Sequence, residues 1–438
     1  MNGPTTPRPF CFMSQFWGRR YRDYFVDYCL PSLLAPDNIP RLRAEDGHCF
    51  LIATPPEDWE QIAHLPIMEK LRPFATPTLI ETPAPLDTSY EAILRHQTFS
   101  LKRLFEAAYA RNGFGCAVWP DTMTSNGFVA AMQRWIEAGY HIVMHPTVRL
   151  AEEGVLADLR AMKLLPEDRR LSRTGEAIAV APRVVAALSV RHLHPDLEVM
   201  EEGHPRQPLY PPYRFWRVPH RNGIILHNFF ATPVLMDFAA VPPDHAACLE
   251  HKDWESVYIG RNFSSSGGLY VVADSDESGI LSITPAAVQQ SALRSIPRLG
   301  ARLLPAYALL CNLRGAIASY CRPERDIVRR DMFRVSVRWH ADDLDEEWQR
   351  EEARIASLID RAAGDYYANG PAFPPRLSLD PRFLPFDLFN ILQQITRILG
   401  GGFGVLLGAL TGHREDLERI QRKVGTIIHR LGERIRPR

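Results

Sequence analysis

The stretch "FGCAVWPDTMTSNGF", Phe114 to Phe128, decides the fold class. Cys116, Ala117, Val118 and Trp119 make an apolar run that reads as a buried strand. Pro120 lacks a donor and ends the ladder, and Asp121 stands at the strand's exit. Thr, Ser, Asn and Gly follow, residues that favour a turn or a helix N-cap, and an amphipathic run then extends from Phe128 to Ala138. A carboxylate at the carboxyl end of such a strand lies where α/β proteins keep their ligands.

The same alternation continues outward on both sides. Phe10–Gly18 ("FCFMSQFWG") reads as a first strand, and Tyr21–Leu34 as a helix stopped by Pro36. His48–Thr54 is a second strand, followed by "PPEDWEQIAHL" with proline and acidic residues in a helical first turn. Thr76–Thr82 is a third strand, and Ser89–Gly113 a strongly amphipathic helix with a glycine stop. The opening stretch supplies the fourth strand and Tyr140–Leu150 the fifth. Strands alternating with helices of this length predict an α/β fold, a mostly parallel sheet with flanking helices. Strand-like runs return at Asn222–Phe238 and Gly267–Ile283. The expected organisation is a core over 1–285, a mainly helical extension over 286–385, and a distinct C-terminal segment over 386–438.

The 438 residues, 46% hydrophobic and 23% charged, support a sizeable core. Zero formal net charge removes the electrostatic footprint of a nucleic-acid binder. Seven scattered cysteines, odd in number and without a CxxC pair, point to a reducing compartment and away from a disulfide scaffold or structural zinc. No signal-peptide pattern opens the chain and no run of about 20 apolar residues occurs, so the expected location is the cytoplasm. In 413–438, Leu417, Ile420, Val424, Ile427, Leu431 and Ile435 form one apolar stripe beside a basic face. That pattern suits helices packed on the body or across a homo-oligomer, or an anchor on the inner face of the membrane.

Several residues could carry chemistry. Asp121 reads as a turn or cap aspartate, or as a ligand for a divalent cation carrying a diphosphate. In "VVADSDESG" (Val271–Gly279) an apolar strand runs into Asp274, Asp276 and Glu277; these form a charged turn, a metal group, or a general base for an acceptor hydroxyl. His227 sits in an apolar run as a core histidine or a ligand. Arg149 closes the fifth strand, as a solvated loop residue or as a guanidinium that grips phosphate. The phosphate loop GxxxxGK[ST] and the GxGxxG, HExxH and GxSxG motifs are all missing.

Residues 8–285 resemble bacterial glycosyltransferases of the GT-A type, the nucleotide-diphospho-sugar transferase fold. Three features carry the resemblance: "FWGRRYRDYF…LPSLLAPDNIP" after the first strand, "RHQ" on the helix before the acidic strand, and "WPDTMTSNG" followed by a helix and "EAGYHIVM". The resemblance implies a Rossmann-like core in which an acidic motif after the fourth strand holds Mg²⁺ or Mn²⁺ and the donor diphosphate. The usual Asp-x-Asp is reduced here to Asp121. It further implies donor contacts at Trp17, Gly18, Tyr21, Thr54, Arg95 and His96, a later metal ligand at His227, and catalytic carboxylates at Asp274 and Asp276. The donor would be a nucleoside-diphosphate sugar, and the acceptor a glycan, a lipid-linked sugar or a protein. Two rivals stay open: a non-catalytic interaction protein on the same scaffold, and a sugar nucleotidyltransferase, of whose basic, glycine-rich first loop "FWGRRYR" has only part.

Overall fold

The structure, a computed structural model, describes residues 8–363 apart from 86, 88, 168–169, 209–210, 250–253, 264–267, 289–304 and 322–326. The C-terminal segment 386–438, with its apolar stripe, lies outside the described residues. Thirteen strands are described: β1 (Phe10–Gln15), β2 (Cys49–Thr54), β3 (Thr76–Glu81), β4 (Phe114–Ala117), β5 (Thr122–Thr124), β6 (Ile142–His145), β7 (Arg149–Ala151), β8 (Tyr213–Arg217), β9 (Gly223–Asn228), β10 (Thr232–Asp237), β11 (Leu269–Val271), β12 (Ile280–Thr284) and β13 (Val337–His340).

Seven of them build a central sheet in the order β3-β2-β1-β4-β10-β6-β11. β1, β2, β3 and β4 pair in parallel, as do β6 and β11, while β10 runs antiparallel to β4 and β6 on either side of it. The protein is therefore mixed α/β with a mostly parallel, Rossmann-like sheet. The period-2 alternation of its strands serves two cores. Phe10, Phe12, Phe50, Ile52 and Cys116 face one, with the helices Leu30–Leu33 and Phe128–Glu137. Cys11, Met13, Leu51, Ala53 and Ala117 face the other, with the helices Tyr90–Tyr109 and Trp254–Phe263. A third core lies around two small sheets, β5-β12-β7 and β13-β9-β8.

Several boundaries differ from the sequence reading for definable reasons. β4 begins at Phe114, and Val118 keeps one bond to the Met13 carbonyl (2.9 Å) before Pro120 ends the ladder. Thr122–Thr124 is not a turn but a strand, because β12 pairs with it from 156 residues downstream (Ile280↔Thr124). The run 222–238 divides into β9 and β10, which belong to different sheets. The helix after β1 covers Gly18–Tyr24, passes through one π-helical stretch at Phe25–Cys29, and resumes at Leu30–Leu33.

The described chain separates into two compact units: Met1–Gln207 with Pro211–Leu293 and Glu324–Ala356, and Pro208–Tyr210 with Arg294–Pro323 and Ser357–Arg438. In the second, Arg314 donates to the Ala362 carbonyl at 3.3 Å. Among the described residues no helix is long and apolar enough to cross a membrane.

Candidate functional site

The strand order creates the site before any side chain is considered. From β1 the chain steps outward to β2 and β3, whereas β4 lies on the other side of β1. The loops leaving β1 and β4 diverge, and the crevice between their carboxyl ends is where open α/β sheets bind ligands.

The β1 side of this crevice is Trp17, Gly18 and the start of the following helix. Gly18 takes φ +72°, a left-handed conformation that suits glycine, and its N–H donates to Asp58 Oδ2 at 2.6 Å. Arg22 pairs with the same carboxylate at 3.0 Å, so Asp58 fixes the helix start. Trp17 packs edge-on against His96 (4.5 Å) and lies 6.3 Å from the Tyr21 ring. Burial lowers the pKa of His96 from its ordinary value. Gln15 Oε1, Thr54 Oγ1 and Thr82 Oγ1, at the carboxyl ends of the first three strands, are buried without a hydrogen-bond partner among the described residues. Buried polar atoms of this kind are expensive unless a ligand or water completes them.

The β4 side is Asp121. Its carbonyl accepts from the Ile283 N–H at 2.9 Å, and Thr122 Oγ1 donates to the Trp119 carbonyl at 2.6 Å, so the exit loop is pinned at both ends. β12 pairs on one side with β5 and on the other with β7, which sets Ser282 between Thr122 and Arg149. Arg149 thereby comes into the field of Asp121, as do Arg20 and Tyr21 from the helix after β1. Burial pushes the Asp121 carboxyl above the usual carboxylate range, and Arg149 and Arg20 oppose that rise. The Tyr21 hydroxyl is likewise raised, by burial first and by the Asp121 charge second. Trp17, Gly18, Tyr21, Thr54, His96 and Asp121 thus all stand on elements that meet at one edge of the sheet.

Arg95 does not join them: it is exposed on its helix and ion-paired to Glu91 at 3.0 Å. His227 is fully buried in β9, where its Nδ1–H donates to the Phe333 carbonyl (2.9 Å) and Trp216 meets it edge-on. Burial lowers its pKa to about 4, and no described contact links it to Asp121.

Asp274 and Asp276 follow β11 on the same edge. Asp274 accepts from His340 Nε2 at 2.9 Å and pairs with Arg338 at 3.3 Å, while Arg183 grips Asp276 at 3.0 Å. Asp274 is held below its ordinary pKa: burial opposes this, and the His340 hydrogen bond with Arg338 prevails. His340 is raised by the hydrogen bond to Asp274. Donor atoms of Asp274, Asp276 and His340 lie within 4.8 Å of one another, a possible metal-binding group. Asp121, a single carboxylate in the field of two guanidinium groups, does not make a cation site by itself; the trio's donor set fits one, provided His340 gives up its proton. Sequence reasoning missed His340 because it lies 66 residues from Asp274, and only the fold brings β13 against the turn after β11. It passed over Arg20 as well, whose only signal was the "GRRYR" run.

No protein-family model matches the chain, and no curated protein matches it. Among solved structures the chain is similar to S. aureus TarS at 9% identity and a TM-score of 0.30, covering 86% of this chain and 47% of that one. It thus spans under half the length of TarS. A TarS fragment, 1-349, gives 9% identity and a TM-score of 0.22, with 83% of this chain and 92% of that one covered. The apo form of mouse xyloside xylosyltransferase 1 gives 12% identity and a TM-score of 0.21, with 36% and 59% covered.

Proposed function

We propose that the protein transfers a sugar from a nucleoside-diphosphate sugar, bound in the crevice between β1 and β4, to a hydroxyl of a glycan, lipid-linked sugar or protein. The observation that carries this reading is Asp121 at the exit of β4, beside the switch point of the sheet, with the charges of Arg20 and Arg149 both acting on it. When the anomeric C–O bond to the diphosphate breaks, negative charge builds on the leaving oxygen, and preorganised cations there lower the barrier. Arg20 and Arg149 are the cations in place. Trp17 and Tyr21 offer ring faces to the nucleoside, and Gln15, Thr54 and Thr82 offer unmet hydrogen-bonding capacity. The acceptor hydroxyl attacks the anomeric carbon and releases its proton. Asp121, whose carboxyl burial raises, is better tuned to receive that proton than Asp274, which His340 and Arg338 hold low. Mg²⁺ or Mn²⁺ at Asp274, Asp276 and His340 would add positive charge at the same edge of the sheet.

A thermal-shift panel of nucleoside-diphosphate sugars, with and without Mn²⁺, tests the reading. Binding at a hundredfold excess over Kd stabilises by about 2.7 kcal/mol, so one donor is expected to raise the midpoint clearly. Arg149→Gln is expected to lower donor affinity about tenfold or more, the weight of one charge-assisted hydrogen bond, and Asp121→Asn to abolish turnover while donor affinity holds. A folded Arg149→Gln protein with unchanged donor affinity would remove the crevice from consideration and favour the non-catalytic scaffold.

A further inference from the structure

A second cleft, of about 650 Å³, is lined by the π-helical stretch Phe25–Cys29 and the turns before it, the helix Glu152–Ala161, residues 165–167, and Arg170 with Leu171. π-helical turns inside α-helices recur at functional sites, and this one carries Asp27 and Tyr28 into the cleft wall. Tyr24 and Tyr28 stand side by side there, ring centroids 5.9 Å apart.

Most polar groups of the cleft have partners. Asp27 Oδ1 accepts from the Ser172 N–H (3.2 Å) and hydroxyl (2.6 Å), Arg170 pairs with Asp23 at 3.0 Å, and the Tyr24 hydroxyl donates to Glu152. Three groups are left over. The half-buried Arg160 guanidinium, the Tyr28 hydroxyl and the Glu167 carboxylate make no side-chain hydrogen bond or ion pair among the described residues. A guanidinium brings donors, a carboxylate acceptors, and a phenol one of each.

Charge decides what such a cleft admits. Arg20, Arg160 and Arg170 face Asp23, Asp27, Glu152 and Glu167, so the signs nearly cancel and no field favours a strongly charged ligand. Aromatic faces combined with unmet donors and acceptors suit a sugar ring, which has an apolar C–H face and an edge of hydroxyls. The cleft also adjoins the crevice. Arg20 lines it and lies over the Tyr21 and Tyr24 rings at 5.7 and 5.4 Å, while its charge acts on Asp121.

We infer that this cleft binds the acceptor, and that the acceptor is an uncharged sugar or glycan whose ring packs on Tyr28, beside the buried Tyr24, and whose hydroxyls pair with Arg160 and the Tyr28 hydroxyl. The acceptor role rests on the donor reading of the neighbouring crevice; sugar binding by the cleft does not.

Saturation-transfer NMR on the full chain tests it, with millimolar glucose, galactose, mannose, N-acetylglucosamine and their neutral disaccharides as probes. Glucuronate and glucose 6-phosphate serve as anionic controls. At least one neutral probe is expected to bind, more tightly than either anion. Tyr28→Phe and Arg160→Gln, both folded by thermal midpoint, are expected to weaken that binding roughly fivefold, the effect of one lost hydrogen bond, while donor-induced thermal shifts stay unchanged. If no neutral sugar binds, if the anions bind better, or if both variants bind as wild type does, the inference fails. If neutral sugars bind through Tyr28 and Arg160 but no nucleotide sugar shifts the midpoint, the donor reading fails and the cleft stands as a sugar site.

Discussion

His340 and Asp274 tie two distant parts of the chain together, and each is tuned by the other. The folded pKa of His340 is raised above 6.5, so its stabilisation is complete below pH 6.5 and fades as pH climbs through the folded value. That of Asp274 is depressed below 3.8, so its stabilisation is complete above pH 3.8 and fades only as pH falls through the folded value. The pair is strongest between those limits, and His340→Gln is expected to flatten the decline of melting temperature above pH 6.5. His227 behaves oppositely. Buried neutral with a pKa near 4, it favours the fold fully above pH 6.5 and progressively less toward pH 4. A drop from 6.5 to about 4 corresponds to roughly 3 kcal/mol of stability lost on acidification. His227→Gln is expected to shift acid unfolding, followed by circular dichroism, to lower pH, and an unmoved transition would show that the imidazole is not held neutral. At this scale the sequence was legible where chemistry and placement coincided. Asp121 could be found because Pro120 marks a strand end, whereas Arg20 in a run of arginines could not be told from solvated neighbours.

Among the elements, the long helix Tyr90–Tyr109 was the most legible, with an apolar stripe, a serine before it and a glycine after it. Ser89 Oγ accepts from the Ala92 N–H at 3.2 Å. Ser89→Ala is expected to cost about 1 kcal/mol in denaturant unfolding, with donor binding preserved because His96 lies two turns inside. Strand β4 is less forgiving. A Cβ at Gly115 would come within 2.3 Å of the Phe238 ring and 2.9 Å of Met13, since β10 and β1 close on it from both sides. Gly115→Ala is therefore expected to destabilise by roughly 1–3 kcal/mol, the range for overpacking, and to lower turnover by displacing Asp121. The short β5 escaped sequence reading because three residues carry too little periodicity; its existence depends wholly on β12.

At the level of the whole molecule, a mostly parallel sheet follows from the alternation of strands and helices, but its strand order does not. Apolar runs tell that a segment is buried, and leave open which neighbour buries it. β10 is the case in point: nothing in "TPVLMD" marks it for a place between β4 and β6. That place has a consequence for how the chain is made. β4 and β6 emerge from the ribosome about 115 and 87 residues before β10, and until it arrives both present unpaired strand edges. Such edges recruit other chains, and pairings this remote in sequence are slow to form. A chain ending at residue 221 is therefore expected to be recovered in aggregates when synthesised alone, and to gain solubility when a peptide spanning 222–245 is supplied during synthesis. The late strand would act as the latch on a half-built sheet, so that the nascent protein's hazard is set by translation speed between two points in the message rather than by the stability of the finished fold.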